Sequence, residues 1–493
     1  MKYLSIDIGT TGGKTALFSE NMELLSCWRR DYPTYLEQNG IVAEQDSKDW
    51  WLIARDGISA VLQEAGVSKD EVGGIGLSCM TPVLLPVDKK GVPLCRAWVW
   101  YDRRAIGKMP EIYKKMSCEE QIQITGSSCK EVTFLNKLLF FRDEMPHLYE
   151  KTAGFLQASG YLVNRMTGRI CLDSSHGELL MLTNKEDGKY SEKICAAFSL
   201  DKEKLPEIIP SDEIAGRLTE EAAGILGLPV GTPVISGGHD SALSTYALGA
   251  EHPGEACLDI GNAANLIMCT RTSVSCLASD TYRHPLKGKW LFQIYSATIG
   301  AAFRWYKNCF GLAEIQKAVG NGTSVYDELC DTAKQSQPGA EGLLFLPYLQ
   351  GAQQAAGATG AFLHIGLGSV HADFVRALLE GCAYSIRYNM EQMEEASGME
   401  IKELVVCGGG SQNRFWLQIY ADILKKPLVV SLVKEAALTG AAMLAQKAVE
   451  KTDFVRKSSV QERILPNPDQ AVVYGSGYKR FKKALEQQIF GKL

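Results

Sequence analysis

The first twenty residues of this chain place a polar turn between two apolar stretches. The turn reads Asp7-Ile-Gly-Thr10-Thr11-Gly-Gly-Lys14. Its glycines allow positive φ and the close approach of a ligand. The hydroxyls, the backbone N–H groups and the cation of Lys14 together suit phosphate oxygens. Asp7, at the end of a strand, is a candidate for holding a hydrated divalent cation.

Two other interpretations of this turn must be weighed. A P-loop requires Gly-x-x-x-x-Gly-Lys-Ser/Thr, and its first glycine would fall on Ile8. A P-loop also starts a helix at its lysine, whereas residues 15–18 continue as an apolar strand. The P-loop is therefore excluded, but an ordinary hairpin turn stays open for this stretch taken alone.

A second stretch repeats the pattern much later in the chain. It reads Asp259-Ile-Gly261-Asn262-Ala-Ala-Asn265 between apolar segments. Two copies of one hairpin predict two related domains that face each other across a cleft. Because strands alternate with helical segments, the expected class is α/β. We expect domains at residues 1–250 and 251–493, with the C-terminal helix packing back on the first domain.

Asp240 is the candidate catalytic base. It follows an apolar strand and the pair Gly237-Gly238, which let the backbone turn sharply and leave the carboxylate in the cleft. A carboxylate beside an attacking hydroxyl can orient and deprotonate it. The alternative is a helix cap for residues 241–248, a common role for Asp in such turns. We interpret His239 as a packing or hydrogen-bonding neighbour.

A glycine run at residues 408–410 lies between a predicted strand and a predicted helix. It would let a nucleotide lie flat against the backbone near the helix N-terminus. A plain strand-to-helix turn explains it equally well. The dinucleotide fingerprint is not satisfied, because Asn413 stands where the third glycine belongs.

Composition limits the class of protein. Hydrophobic residues make up 46% of the chain and the net charge is −5, without a dense basic run, so nucleic acid is not an expected partner. The 14 cysteines form no Cys-x-x-Cys pair and indicate free thiols in a reducing compartment. No apolar run reaches the roughly 18 residues of a membrane helix. With no apolar leader before the first strand, we expect a cytoplasmic protein without a membrane partner.

The order of the pieces is more specific than any one of them. It combines the two hairpins and the Asp240 turn with Trp100-Tyr-Asp-Arg-Arg, Phe345-Leu-Pro-Tyr348, Gly408-Gly-Gly-Ser and Leu438-Thr-Gly-Ala-Ala. Over nearly its whole length the chain resembles the FGGY carbohydrate kinases. The resemblance implies two ribonuclease H-like domains flanking a deep cleft, ATP and Mg²⁺, and phosphoryl transfer to a hydroxyl of a sugar or polyol. A homodimer is an expectation at the level of the family.

By position, the resemblance casts Asp240 as the base and Asp7 as the magnesium-side carboxylate. It implies phosphate contacts from Thr10, Thr11, Lys14, Gly261 and Asn262. It places Gly300, Gly409, Gly410 and Asn413 on the ATP site. It places Met80, Thr81, Trp100 and Asp102 at the sugar end. For the last stretch, a core Trp with Asp102 and Arg104 paired at the surface is the alternative.

Departures from the family pattern bear on the substrate. Asn262 replaces the usual threonine, so this phosphate contact is an open question. Met80-Thr81 stands where glycerol kinases have Arg-Glu and xylulokinases have Met-His, which disfavours glycerol. A ketopentose such as xylulose is the predicted substrate, with another ketose, a deoxysugar or a polyol as alternatives. A nucleotide-gated ATPase or binding protein on the same fold is the alternative of a different class.

Overall fold

The computed structural model describes residues 1–274, 279–351, 357–452 and 460–489. The strands β1 to β14 of the first half are Lys2–Ile8, Gly12–Phe18, Leu24–Asp31, Tyr35–Glu37, Val42–Gln45, Val72–Cys79, Leu85–Val87, Ala97–Trp98, Gly154–Leu156, Cys171–Asp173, Glu207–Ile209, Ile214–Arg217, Pro233–Ile235 and Gly238–His239. Its helices α1 to α10 are Ser47–Ala65, Met109–Lys115, Cys118–Thr125, Phe134–Glu144, Pro146–Lys151, Ala158–Thr167, Ser174–Leu179, Glu192–Phe198, Glu220–Leu226 and Asp240–Leu248.

The second half follows the same alternation of strands and helices. Its strands β15 to β23 are Ala256–Ile260, Ala264–Thr270, Asp280–Arg283, Trp290–Ser296, Leu344–Leu346, Ala361–Leu363, Leu404–Cys407, Leu428–Ser431 and Val460–Ile464. Its helices α11 to α17 are Gly300–Phe310, Leu312–Asn321, Val325–Ala333, His371–Ser397, Arg414–Leu424, Ala436–Glu450 and Ala471–Ile489.

Each half is built on one mixed sheet. The first sheet has the order β12-β13-β6-β1-β2-β3, and β14 also pairs with β6. Every residue of β6 is buried, as expected for a parallel strand covered on both faces. The helix α1 covers this sheet and starts where Asp46 accepts the backbone N–H of Lys48. It ends at Gly66, whose positive φ terminates the helix.

The second sheet repeats this plan. Its order is β17-β18-β16-β15-β21-β22-β23. The strand β15 pairs antiparallel with β16 and parallel with β21, just as β1 pairs with β2 and β6. The repeated hairpin seen in the sequence therefore marks two sheets of the same topology.

The two halves share a packed interface. The helix α16 belongs to the second half in sequence but packs on β6 and β1 of the first sheet and on α10. Gly76 allows this contact, because a Cβ there would overlap the backbone carbonyl of Ala441. Apolar side chains of both halves form one buried cluster that includes Phe18, Leu243 and Leu438. The floor of the cleft is therefore an apolar contact between the two halves.

The position of the last helix differs from the expectation. We expected the C-terminal helix to pack on the first domain, but α17 packs on α14 and α15 of the second. Its buried aromatic residues, Tyr474, Tyr478 and Phe481, join the core of that domain. The helix that returns to the first domain is α16. Within the described ranges, we find no helix with the length and apolar character that a bilayer span requires.

Candidate functional site

A cavity of about 470 Å³ lies between the two hairpins and the start of α10. Its polar lining combines residues from both halves of the chain: Asp7, Lys14, Asp240, Ser241, Ser244, Thr245, Asp259, Asn265 and Glu435. Gly408 also borders it. The structure thus brings Asp7, near the start of the chain, together with Asp240 and Asp259, which come much later in the sequence.

Asp240 is the first residue of α10, and its side chain is 50% exposed at the bottom of the cleft. Its Oδ1 accepts a hydrogen bond of 2.6 Å from the backbone N–H of Ser241. For Oδ2 we find no hydrogen bond among the described residues. Asp240 therefore interacts with the start of its own helix, as the alternative interpretation proposed, and still presents an oxygen to the cleft.

The environment of Asp240 favours its ionised form. Its depth in the cleft raises the pKa, but His239 and the N–H of Ser241 outweigh that effect and leave the pKa lowered. Nδ1 of His239 lies 3.7 Å from Oδ1 of Asp240. A general base must be ionised at the working pH, and Asp240 meets this condition.

A buried polar cluster stands behind Asp240, and sequence reasoning missed it. Asp173 accepts Nδ1 of His176 at 2.5 Å and also the backbone N–H groups of Ser175 and His176. The His176 and His239 rings lie 6.0 Å apart, and the backbone N–H of His239 donates to Oγ of Ser175. The cluster fixes the loop that carries Asp240. Its sequence signal was Asp-Ser-Ser-His directly after a strand.

Asp7 lies at the end of β1 and accepts a hydrogen bond of 2.6 Å from Oγ of Ser78. Burial raises the pKa of Asp7 to about 7; the Ser78 bond opposes this shift and the charge of Asp240 adds to it. Burial and the charge of Asp240 also raise the pKa of Asp259. Among the described residues that line the cavity, Lys14 is the one cationic side chain.

This excess of carboxylates fits a divalent cation. The donors are hard oxygens, which Mg²⁺ prefers. In the described part of the chain, no group of three or more His, Cys, Asp or Glu is arranged as a metal site. Mg²⁺ usually keeps several waters and takes one or two carboxylates together with substrate phosphates. Asp7 and Asp259 are suited to that sparse protein contribution.

Side chains from other parts of the first domain hydrogen-bond to the turn of the first hairpin. The hydroxyl of Tyr32 donates to the carbonyl of Gly9 at 2.6 Å, and Gln45 donates to the carbonyl of Thr10 at 2.7 Å. The indole N–H of Trp100 donates to Oγ1 of Thr10 at 3.0 Å. Thr11 at the tip is exposed. Trp100 therefore connects the expected sugar end directly to the expected phosphate turn.

Lys14 forms an ion pair with the segment that precedes α16. Its ammonium group lies 2.6 Å from the carboxylate of Glu435, the residue before α16. Both side chains are about one-third exposed. A phosphate contact from Lys14 would therefore compete with this ion pair.

The turn of the second hairpin packs on the start of α11. The backbone N–H of Gly300 donates to the carbonyl of Gly261 at 3.1 Å, and that of Ala301 donates to the carbonyl of Asn262 at 2.8 Å. A Cβ at Gly300 would overlap Gly261. The close approach of helix and turn explains why residue 300 is a glycine.

The glycine run lies directly beside this hairpin. Gly408 has φ +85°, and a Cβ there would overlap the carboxylate of Asp259. A Cβ at Gly410 would overlap Ile260, whereas Gly409 has open space around it. The run therefore combines two glycines required by packing with one that faces open space.

Asn413 lies at the start of the next helix. Its side chain accepts the backbone N–H of Trp416 at 3.0 Å and so caps α15. Its amide group donates to Asp327 at 2.7 Å.

The expected sugar end borders a second cavity of about 860 Å³, which both halves line. Trp100 borders it from the first half, and Tyr295 and Asn389 from the second. Thr81 is partly exposed, and its hydroxyl lies 3.5 Å from Oε1 of Gln157.

Two residues expected at the sugar end are buried. Met80 is 2% exposed and belongs to the core of the first domain. Asp102 is fully buried, and its carboxylate accepts the backbone N–H of Ala43 and the guanidinium of Arg104. The ion pair weighed as the alternative is present, although it is buried instead of at the surface. These bonds occupy both oxygens and stabilise the loop after Trp100.

A buried lysine also supports this loop. The ammonium group of Lys137 is fully buried and donates to the carbonyls of Pro82, Val99 and Trp100 at 3.1, 2.6 and 3.4 Å. Burial lowers its pKa to about 7. Lys137 thereby fixes the backbone on both sides of the sugar end.

Comparison with known proteins agrees with this architecture. A xylulose kinase of Staphylococcus epidermidis is 27% identical to the chain and covers 98% of it and 97% of its own length. A ribulokinase of Geobacillus thermodenitrificans is 26% identical, with 97% and 93% covered. The crystal structure of a xylulose kinase from Rhodospirillum rubrum superimposes with a TM-score of 0.91 at 24% identity, over 99% of both chains. The predicted two-domain α/β fold is confirmed.

The family assignment follows from the domain matches. Residues 2–247 match the N-terminal domain of the FGGY family of carbohydrate kinases, and residues 264–449 match its C-terminal domain. Together the matches include the first hairpin, Asp240, the return strand of the second hairpin and the glycine run. The chain therefore belongs to the FGGY family of carbohydrate kinases, ATP-dependent enzymes that transfer a phosphoryl group to a sugar hydroxyl.

Proposed function

We propose that this enzyme transfers the γ-phosphoryl group of ATP to a hydroxyl of a ketopentose, with xylulose as the first candidate and Asp240 as the base. The observation that carries this proposal is the single cavity that unites Asp7, Lys14, Asp240 and Asp259. Such a cavity offers one carboxylate for a proton, a cation for phosphate oxygens and further carboxylates for a metal ion. Phosphoryl transfer requires this combination of positioning and charge stabilisation.

Each residue has a part in the proposed reaction. Asp240 accepts the proton of the attacking hydroxyl. Phosphate oxygens are bound by Thr10, Thr11, Lys14 and the turn at Gly261 and Asn262. Gly300, Gly409, Gly410 and Asn413 border the nucleotide. Asp7 and Asp259 would hold Mg²⁺, which neutralises phosphate charge when bound.

Domain closure is expected to protect the reaction from water. An open cleft would allow water to replace the sugar hydroxyl and hydrolyse ATP. The hydrogen bond from Trp100 to Thr10 joins the sugar end to the phosphate turn.

Two observations support a ketopentose as the substrate. The relatives named above are a xylulose kinase and a ribulokinase, and both named sugars are ketopentoses. At the sugar end, Thr81 and Trp100 provide a hydroxyl and an aromatic face. We assign neither Met80 nor Asp102 to the sugar, because both are buried.

The test is sugar-dependent release of ADP over a panel of pentuloses, hexuloses and polyols. We expect xylulose or ribulose to give the highest kcat/KM. Asp240→Asn should lower kcat by about 10²- to 10⁴-fold while leaving ATP binding intact. Asp201→Asn, an exposed residue at a helix start, is the matched control. Full turnover in Asp240→Asn, or ATP hydrolysis that no sugar stimulates, would refute the proposal; the second result would favour a nucleotide-gated ATPase.

Location and assembly are part of the same proposal. None of the described cysteines forms a disulfide, which supports a reducing compartment such as the cytoplasm. We also propose a homodimer. Light scattering of the purified protein at micromolar concentration tests this assembly, and a monomeric mass would refute it.

A further inference from the structure

Asn265 occupies a distinctive position in the cavity. It lies at the start of the return strand of the second hairpin, directly opposite Asp259. Its side chain lines the same cavity as Asp240. The sequence comparison with the family assigned it no role.

A chain of hydrogen bonds fixes the amide of Asn265. Its Oδ1 accepts Nε2 of Gln293 at 2.7 Å, and Oε1 of Gln293 accepts the hydroxyl of Tyr282 at 2.5 Å. The bond to Oδ1 leaves the NH₂ group of Asn265 for the cavity, and we find no partner for it among the described residues. The amide therefore presents two N–H donors in a fixed orientation.

The other end of this chain lies against the base. Tyr282 is fully buried, and its ring meets that of His239 edge-on at 4.4 Å between centroids. His239 immediately precedes Asp240. The chain thus spans from the neighbour of the base to the wall of the cavity, and it joins the two halves of the molecule.

Asn265 is a polar residue at the edge of an apolar cluster. On the same face of the sheet, Ile267 and Leu291 pack with Ala242 of α10 in a dry cluster. Asn265 is the point at which this apolar contact ends and the cleft begins. Its antiparallel neighbour, Tyr295, lines the larger cavity together with Trp100. Asn265 therefore lies between the base and the sugar end.

The charged groups near this point cannot take the same role. Asp7, Asp240 and Asp259 accept hydrogen bonds when ionised, and Lys14 is paired with Glu435. A neutral, oriented donor beside a base suits a hydroxyl oxygen of an uncharged sugar. Binding sites that hydrogen-bond a hydroxyl reject analogues that lack it.

We propose that Asn265 is a specificity-determining residue that donates to the sugar oxygen next to the hydroxyl deprotonated by Asp240. Gln293 and Tyr282 are the positioning residues that hold it. The ligand class is a sugar with a hydroxyl adjacent to the reacting one. This inference rests on the proposed function and deepens it by naming how the second domain recognises the sugar.

The experiment compares the best sugar of the panel with an analogue in which the adjacent hydroxyl is replaced by hydrogen. Wild-type enzyme should prefer the intact sugar. Asn265→Leu should raise the KM for the intact sugar about fivefold to tenfold, which is the effect of one lost hydrogen bond. The variant should also largely lose the preference for the intact sugar over the analogue. The KM for ATP should stay within about twofold. Asn321→Leu, on the exposed end of α12, is the matched control.

A second variant tests the positioning role. Gln293→Leu keeps the amide of Asn265 but removes its support, so a smaller loss of the same preference is expected, about twofold to fivefold. Should Asn265→Leu fail to fold, as judged by its thermal transition, Asn265→Ser and Gln293→Leu take its place with the same readout.

The outcomes separate this inference from the proposed function. If wild-type enzyme phosphorylates no sugar of the panel, the proposed function fails. If wild-type enzyme is active but the folded variants keep its sugar KM and its preference within twofold, the role of Asn265 is refuted while the kinase assignment stands.

Discussion

The two hairpins share a backbone plan but differ in the side chains that face the cleft. In each, an aspartate near a strand end lies opposite a residue in the first turn-side positions of the return strand. This pairing joins Asp7 with Lys14 in the first hairpin and Asp259 with Asn265 in the second. The same structural position therefore carries a cation in one domain and an amide in the other.

The neighbouring strand shows a related difference. The residue beside Asp7 on β6 is Ser78, whose hydroxyl donates to the carboxylate. The residue beside Asp259 on β21 is Cys407, and a thiol is a weaker donor than a hydroxyl. Two sheets of the same topology thus present unlike side chains to the cleft. We interpret the first surface as specialised for phosphate charge and the second for orientation of the sugar and nucleotide.

The largest expected effect tests whether the two aspartates are equivalent. Asp7→Asn should lower kcat/KM about 100-fold or more, because it removes the oriented carboxylate of the proposed metal site. Asp259→Asn should lower kcat/KM only about tenfold, because the carboxylate of Asp259 is held less firmly than that of Asp7. Steady-state kinetics over a Mg²⁺ titration measures both. Equal losses in the two variants would show that the hairpins contribute equally.

The next test concerns the cation and the amide at the equivalent positions. Lys14→Met should raise the KM for ATP about tenfold, because one charge-assisted hydrogen bond to phosphate is lost. The sugar KM should change less than twofold, in contrast to Asn265→Leu. Glu435→Gln is the control: it frees Lys14 from a partly exposed ion pair, which contributes about 1 kcal/mol or less to stability. An unchanged ATP KM in Lys14→Met would remove Lys14 from the phosphate site.

The glycine run offers a matched pair of variants beside the second hairpin. Gly408→Ala should lower the free energy of unfolding by about 1–3 kcal/mol, because its backbone conformation is essentially restricted to glycine. Gly409→Ala should lower the free energy of unfolding by less than about 1 kcal/mol, since nothing lies near the added methyl group. Urea unfolding followed by circular dichroism measures both. Equal stabilities would contradict the strain assigned to Gly408.

The smallest expected effect concerns buried basic residues, of which each domain has one with a different environment. Arg376 in the second domain is buried beside Glu380, whereas Lys137 in the first is bound by carbonyls alone. Because the pKa of Lys137 is about 7 in the folded protein and near 10.4 in the unfolded chain, the unfolded chain binds more protons between these values. The contribution of Lys137 to stability therefore rises with pH across this window.

Lys137→Met should remove that pH dependence. We expect its free energy of unfolding to rise less steeply than that of the wild type between pH 7.5 and 8.5, by about 1 kcal/mol. Urea unfolding at the two pH values provides the measurement, and Lys334→Met on an exposed helix end serves as the control. Parallel pH profiles for wild type and Lys137→Met would show that Lys137 is charged in the folded protein.

Much of the site could be anticipated from local sequence. The hairpins at Asp7 and Asp259 are short-range patterns in which strand, turn and carboxylate lie within a few residues of one another. The turn before Asp240 is equally local. The roles given to Met80 and Asp102 came from a family pattern, which does not specify the direction of a side chain. Burial decides that direction, and for Asp102 it depends on a residue as distant in sequence as Ala43.

Sequence alone determined that this chain has two copies of one α/β unit, because alternating strands and a repeated turn follow from local residue preferences. Only the tertiary structure brought Asp240 between the two hairpins, placed α16 on the first sheet and set Tyr282 of the second half against His239 of the first. These contacts link residues far apart in sequence. Their geometry arises from the packing of two domains, a property that no single segment encodes.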